Sequence, residues 1–148
     1  DTFPSDMIQE MRLAAFMAKS QEHTTYRTRA KDIFNAATIS GAKALGRPDL
    51  GRLCEGAAAD FSVVDLSTIE MTPSRDVIKS IVYSGTRHSI SRVYVEGQCI
   101  VRDGKVGGID EKGLCEELQA IGEEAWKELR TKDGRVMDEF YPMSFPRL

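Results

Sequence analysis

Near Gly51 the hydrophobic spacing of the chain changes from the three-to-four-residue repeat of helices to the two-residue alternation of strands, which limits the folds open to it. Before that point, Ser5 or Asp6 is placed to cap a first helix, along which Met7, Met11, Ala14 and Ala18 recur at helical spacing. The polar stretch from His23 to Thr28 interrupts the repeat, and Ala30, Ile33, Phe34 and Ala37 resume it as a second helix. Thr38 or Ser40 is expected to cap a third, short helix reaching Leu45, with Gly46 as its stop and Pro48 barring continuation.

After Gly51, Phe61 to Leu66 reads as a strand. Asp76 to Ile81 reads as a helical turn ended by Ser84 and Gly85. Val93 to Arg102 reads as a hairpin reversing at Gly97-Gln98, with Asp103-Gly104 and Gly107-Gly108 marking its exit. Leu114, Leu118, Ile121, Ala125 and Leu129 then predict a long amphipathic helix whose other face is charged and solvated. The final segment, Tyr141 to Leu148, carries Pro142 and Pro146 and is expected to lie extended. Helices followed by a thin β layer are an awkward free-standing unit, because each layer must bury its apolar face on something. The missing partner is expected upstream.

Composition excludes several classes. At 148 residues, with 41% hydrophobic and 29% charged content, the chain is long enough and apolar enough for one domain with a core. A net charge of −3 provides no cationic excess for a phosphate backbone, so nucleic acid is not an expected partner. No apolar run approaches the ~20 residues of a membrane span, and the first residues are not a signal peptide, so a cytoplasmic protein is expected. Cys54, Cys99 and Cys115 are odd in number and widely spaced, which fits reduced thiols.

No complete active site is written in the chain. Its two histidines, His23 and His88, form neither an H-x-H nor an H-x-x-x-H metal pair and read as surface or loop residues. There is no G-x-S-x-G elbow and no phosphate-binding glycine loop.

Four blocks nevertheless carry a resemblance. The run from Asp1 to Arg12, D-T-F-P-S-D-M-I-Q-E-M-R, resembles the segment after the last barrel strand of amidohydrolase-superfamily enzymes of the cytosine deaminase and chlorohydrolase group. Residues Ala36 to Gly46 resemble that group's A-T-x-x-G-A-x-A-L-G helix, and Leu50 to Phe61 its I-G-S-L-x-x-G-K-x-A-D block. Val93 to Gly104 resembles its closing V-x-V-x-G hairpin. The blocks occur in the family's order over roughly the first 106 residues, with Ala57 where the family commonly has lysine.

The resemblance implies an α/β protein in which residues 1–46 supply the terminal helices of a metal-dependent (β/α)8 barrel. Residues 47–109 would supply the later part of a small β-rich composite domain, and residues 110–148 a C-terminal helix and tail. The remaining strands would come from upstream barrel strands of the same enzyme. In that family earlier histidines hold one divalent metal ion, Zn or Fe, and a strand-end aspartate binds the ion or its water and shuttles a proton. Asp1 matches that aspartate, which makes it the candidate for both catalysis and metal binding; the alternative is an exposed acid.

Phe3 and Pro4, next to it, would line the pocket mouth, with Phe3 the candidate substrate contact, or else pack at the helix start. Asp60 is expected to be structural, accepting backbone hydrogen bonds where a strand begins. The implied function is hydrolysis of a carbon–nitrogen bond, such as deamination of a heterocyclic small-molecule substrate, by metal-activated water; a carbon–halogen bond is the lesser variant. The competing expectation is a non-catalytic fragment or scaffold module that docks onto a separate barrel subunit. This chain alone is expected to hold no metal, and the parent protein to be a homo-oligomer.

Overall fold

A computed structural model of the chain describes residues 5–132. It divides into two compact units, the first running to Gly107 and the second beginning at Gly108. The first unit is α/β and contains a small antiparallel sheet.

Helix α1 spans Met7–Glu22. Of the two capping candidates, Asp6 is the one that caps it: Oδ1 accepts from the Ile8 and Gln9 N–H groups at 2.9 and 3.3 Å, satisfying two of the donors every helix start leaves free. His23, with φ of 49°, ends it in the left-handed conformation. Its inward stripe is Ile8, Met11 and Ala15, not the Met7, Met11, Ala14 and Ala18 stripe predicted; Met7 is 60% exposed. Both stripes have helical spacing, so periodicity does not choose between them. Packing against α4 (Val77–Ser84) does.

Helix α2 covers Ala30–Asn35 and α3 covers Gly41–Ala44. Between them the chain does not stop for a cap at Thr38 or Ser40 as expected. It continues through a wider π-helical turn, Ala36–Ser40. The Thr38 hydroxyl donates back to the Phe34 carbonyl at 2.7 Å, so it is spent inside the helix and cannot cap a new one. The end is as predicted. Gly46, at φ of 69°, lets Arg47 N–H reach the Ala42 carbonyl (2.9 Å) and its own N–H reach Lys43 (3.1 Å), closing the carbonyl end.

Gly51 folds back onto that wide turn. Its φ is 73°, and a Cβ there would stand 2.6 Å from the Thr38 carbonyl oxygen. Only glycine permits both the backbone conformation and the approach.

Strands β1 (Phe61–Val64), β2 (Ile90–Val95), β3 (Gln98–Arg102) and β4 (Lys105–Val106) form one antiparallel sheet in that order. The β2–β3 turn sits at Glu96-Gly97, one residue earlier than predicted, with both φ values positive at 49° and 77°. Two successive left-handed residues match the twist of paired strands, and the second is glycine. Asp103-Gly104 repeats the device at 50° and 76°, so what read as an exit signal is a second hairpin leading into β4. Phe61 and Tyr94 are cross-strand partners whose rings stack at 4.6 Å.

Ile8, Met11 and Ala15 of α1 meet Ile81 and Val82 of α4 and Met71 of the preceding loop to form the core, against which Ile33, Phe34, Val64 and Ile90 pack. Burying each of the larger side chains contributes about 1.5–3 kcal/mol. Helix α4 is longer than the turn predicted, and Asp76 caps it by accepting from Lys79 N–H at 3.0 Å.

The second unit contains α5, Glu111–Lys132, over the span predicted; Asp110 accepts from Gly113 N–H at its start. Tyr141 to Leu148 lie outside the described residues. No helix among the described residues is long and apolar enough to cross a membrane.

Candidate functional site

The segment nominated by sequence leads into α1. Asp1, Phe3 and Pro4 themselves lie outside the described residues, so the site is built from α1 and its neighbours. Asp6 fixes the start of α1, and six residues further Arg12 crosses 73 positions of sequence to donate from Nη2 to the Gly85 carbonyl at the end of α4. Further along, Lys19 Nζ donates to the Tyr83 hydroxyl at 2.5 Å and lies 4.3 Å from its ring centroid. Both cations thus tie α1 to α4, and the Phe16 and Tyr83 rings meet between the same helices with centroids 6.5 Å apart.

Beside the Arg12 tie is a groove of about 440 Å³. Asp6, Gln9, Arg12, Leu13 and Phe16 line one wall and Thr86, Arg87 and His88 the other. Sequence reading left Arg87 and His88 out of any site. No local signal set them beside α1, because that approach is made across more than 70 positions of sequence. The groove brings together the acids Asp6 and Glu10, the cations Arg12 and Arg87, and the Phe16 ring.

Asp60 behaves as expected: its Oδ1 accepts from Glu96 N–H at 2.7 Å, while Gly97 N–H donates to the Ala59 carbonyl at 3.0 Å, so the start of β1 is pinned to the β2–β3 turn. His23 and His88 are both exposed. Cys54, Cys99 and Cys115 are free thiols.

Charge perturbation lies away from the groove. The Ser67 hydroxyl and N–H both donate to Asp65 and hold its carboxyl below the usual range. Hydrogen bonding by Arg47 does the same to Asp49 and in turn raises the guanidinium. Among the described residues no three His, Cys, Asp or Glu side chains stand close enough to hold a metal ion. These residues alone therefore do not fit a metal centre.

Comparison with known proteins resolves the class. The profile of the amidohydrolase family matches residues 1–100. The chain is 36% identical over 114 residues to a 5-methylthioadenosine/S-adenosylhomocysteine deaminase of Natronomonas pharaonis, covering 77% of this chain and 26% of that protein. It is 34% identical over 119 residues to a 5'-deoxyadenosine deaminase of Methanosarcina mazei, covering 80% and 27%. Among solved structures, an adenosine deaminase from Xanthomonas campestris with bound zinc superposes with a TM-score of 0.76 at 29% identity, over 80% of this chain and 27% of that one. An atrazine chlorohydrolase from Arthrobacter aurescens complexed with zinc superposes with a TM-score of 0.69 at 28% identity, over 76% and 25%.

The chain belongs to the amidohydrolase family. It spans about a quarter of the length of the curated relatives it matches.

Proposed function

We propose that the protein to which these residues belong is a metal-dependent deaminase of an aminated heterocycle, with adenine nucleosides altered at the 5' position the first class to test. The observation that carries this reading is the family match from residue 1, which takes in Asp1 and the capped helix after it; the deaminase names of the relatives set the substrate class. Water adds to the carbon bearing the amino group, the C–N bond breaks, and ammonia leaves as the carbonyl forms. In this reading the Asp1 carboxylate accepts a proton from the water and delivers it to the departing nitrogen, and Phe3 contacts the ring.

A divalent ion, when bound, lowers the pKa of its water toward neutrality. Asp1 is the one ligand this chain is proposed to contribute, the others coming from upstream barrel strands of the same enzyme. The outer side of α1 supports such a partner, because Leu13, Phe16 and Met17 are 48%, 57% and 57% exposed on a helix whose opposite side is core.

The test is ammonia release by the zinc-loaded full-length protein from 5'-deoxyadenosine, 5'-methylthioadenosine, S-adenosylhomocysteine and a chlorinated triazine. Turnover of one of the nucleosides is expected, and loss of turnover in Asp1→Asn by about 1,000-fold or more assigns the carboxylate. Release of chloride with no release of ammonia from any nucleoside would sink the deaminase reading.

A further inference from the structure

We infer that one side of the β-sheet is a docking surface for an acidic helix of a partner protein. The antiparallel register places Arg92 of β2 directly opposite Arg102 of β3, and Arg102 directly opposite Lys105 of β4. Residues directly opposite each other stand on the same side of a sheet, so the three cations form one row across three neighbouring strands. All three are exposed, and among the described residues none of them forms an ion pair.

Such a row opposes folding. Like charges directly opposite on paired strands destabilise the pair, and Arg102 has a like neighbour on both sides. An uncharged polar residue at that position would keep the surface hydrophilic without the repulsion. A local arrangement that works against the fold is offset when an anionic partner covers it.

The two sides of the sheet differ. On the other side the neighbouring row is Ser62, Val93, Val101 and Val106, so that side suits a covering layer of the protein itself. On the cation side, Phe61 and Tyr94 stand two residues along their strands from Val63 and Arg92, giving the row a border of stacked rings. That border offers flat apolar surface to the aliphatic stems of a partner's side chains.

Spacing selects the form of the partner. Adjacent strands lie ~4.8 Å apart, which sets the interval between successive cations. Side chains one turn apart on a helix rise by about 5.4 Å, whereas same-side residues of an extended chain are about 6.8 Å apart and lose step by the third cation. Acids at i, i+4 and i+7 of a helix laid across the strands therefore meet the three cations in turn. The row has fewer than the about four to eight cations that mark recognition of anionic lipid, and the chain's net charge of −3 opposes a nucleic-acid backbone.

The experiment measures binding of a fluorescein-labelled, alanine-rich helical peptide with glutamates at i, i+4 and i+7 to the full-length protein, by fluorescence anisotropy. Binding is expected at low salt and should weaken as salt rises. A proline in the centre of the peptide should weaken binding at least about fivefold, because it breaks the helix. Arg102→Thr should weaken binding about three- to fivefold and raise Tm, since the central cation carries both repulsions. Lys105→Ser, at the end of the row, should weaken binding about two- to threefold, and Arg52→Ser, an exposed cation outside the row, should leave it within about twofold.

No peptide binding at low salt overturns the inference, as does equal affinity for the helical and proline peptides or equal weakening in Arg102→Thr and Arg52→Ser. Should Arg102→Thr fail to fold, Lys105→Ser decides: weakened binding supports the row, and parental binding refutes it. Phosphatidylserine vesicles bound in preference to the peptide would assign the row to a membrane surface instead. Self-association that Arg102→Thr abolishes, with no peptide bound, would assign it to a second copy. A fall in Tm in Arg102→Thr with affinity unchanged would show that the row serves the sheet alone.

Discussion

Within the first unit the sheet and the helices are held by contacts of different range. Strands β2, β3 and β4 are joined by two-residue turns, each made of a left-handed acid followed by a left-handed glycine, Glu96-Gly97 and Asp103-Gly104. The helices meet across 64 to 73 positions, through Lys19 to Tyr83 and Arg12 to Gly85, over a core that includes a loop methionine. Local turns close at little entropic cost and can form early, whereas the helical layer becomes specific only when distant parts of the chain have arrived. Damage to the helical layer should therefore cost more than equivalent damage to the sheet.

The most demanding test of that contrast uses two glycines with nearly the same backbone. Gly51 and Gly104 have φ of 73° and 76°, but a Cβ at Gly51 would collide with the Thr38 carbonyl, while one at Gly104 meets nothing within 4 Å. Gly51→Ala should destabilise by about 3–5 kcal/mol, from left-handed strain plus overpacking, and Gly104→Ala by about 1–2 kcal/mol from strain alone. Chemical denaturation of the two variants measures the gap; equal losses would show that the close approach to the wide turn carries no weight.

A smaller effect separates the two layers by burial. Met71 is 1% exposed in the helical core and Ile100 is 40% exposed on the sheet. Met71→Ala should cost about 2–4 kcal/mol and Ile100→Ala about 1 kcal/mol. A shift in Tm as large for the sheet variant as for the core variant would contradict the division.

The smallest effect lies at the junction after β1, where Ser67 depresses the Asp65 carboxyl. A lowered folded-state pKa gives stabilisation that is present above the ordinary carboxylate range and is lost as pH falls through the depressed value. Ser67→Ala should raise the Asp65 titration midpoint toward its ordinary value, followed by NMR, and flatten the acid side of the stability profile. An unchanged midpoint would assign the shift elsewhere.

The same difference in range decides what could be read from sequence. The hairpin was legible because a two-residue turn with glycine is a local signal; only its exact position slipped by one, since Glu96 is not a residue type that announces a left-handed conformation. The inward stripe of α1 was misjudged because Ile8 and Met7 both lie on apolar helical rows, and the choice between them belongs to α4, some 70 positions away. For the candidate site, the family resemblance pointed to Asp1 and Phe3, which lie outside the described residues. Arg12 was visible only as one letter of a motif. No local pattern announces that an arginine will reach a carbonyl 73 positions away, so its partner came from the structure.

The wide turn at Ala36–Ser40 also sets a phase. A π-helical turn takes up about one residue more than an α-helical turn, and one residue corresponds to about 100° of rotation around the axis. Were the same number of residues wound as an unbroken α-helix, everything beyond would swing by that angle, carrying buried Ala42 toward solvent and taking Gly51 off its seat on the Thr38 carbonyl. The wide turn thus holds one residue out of the helical count, and it is this widening that keeps the chain beyond it in phase with the start of the sheet.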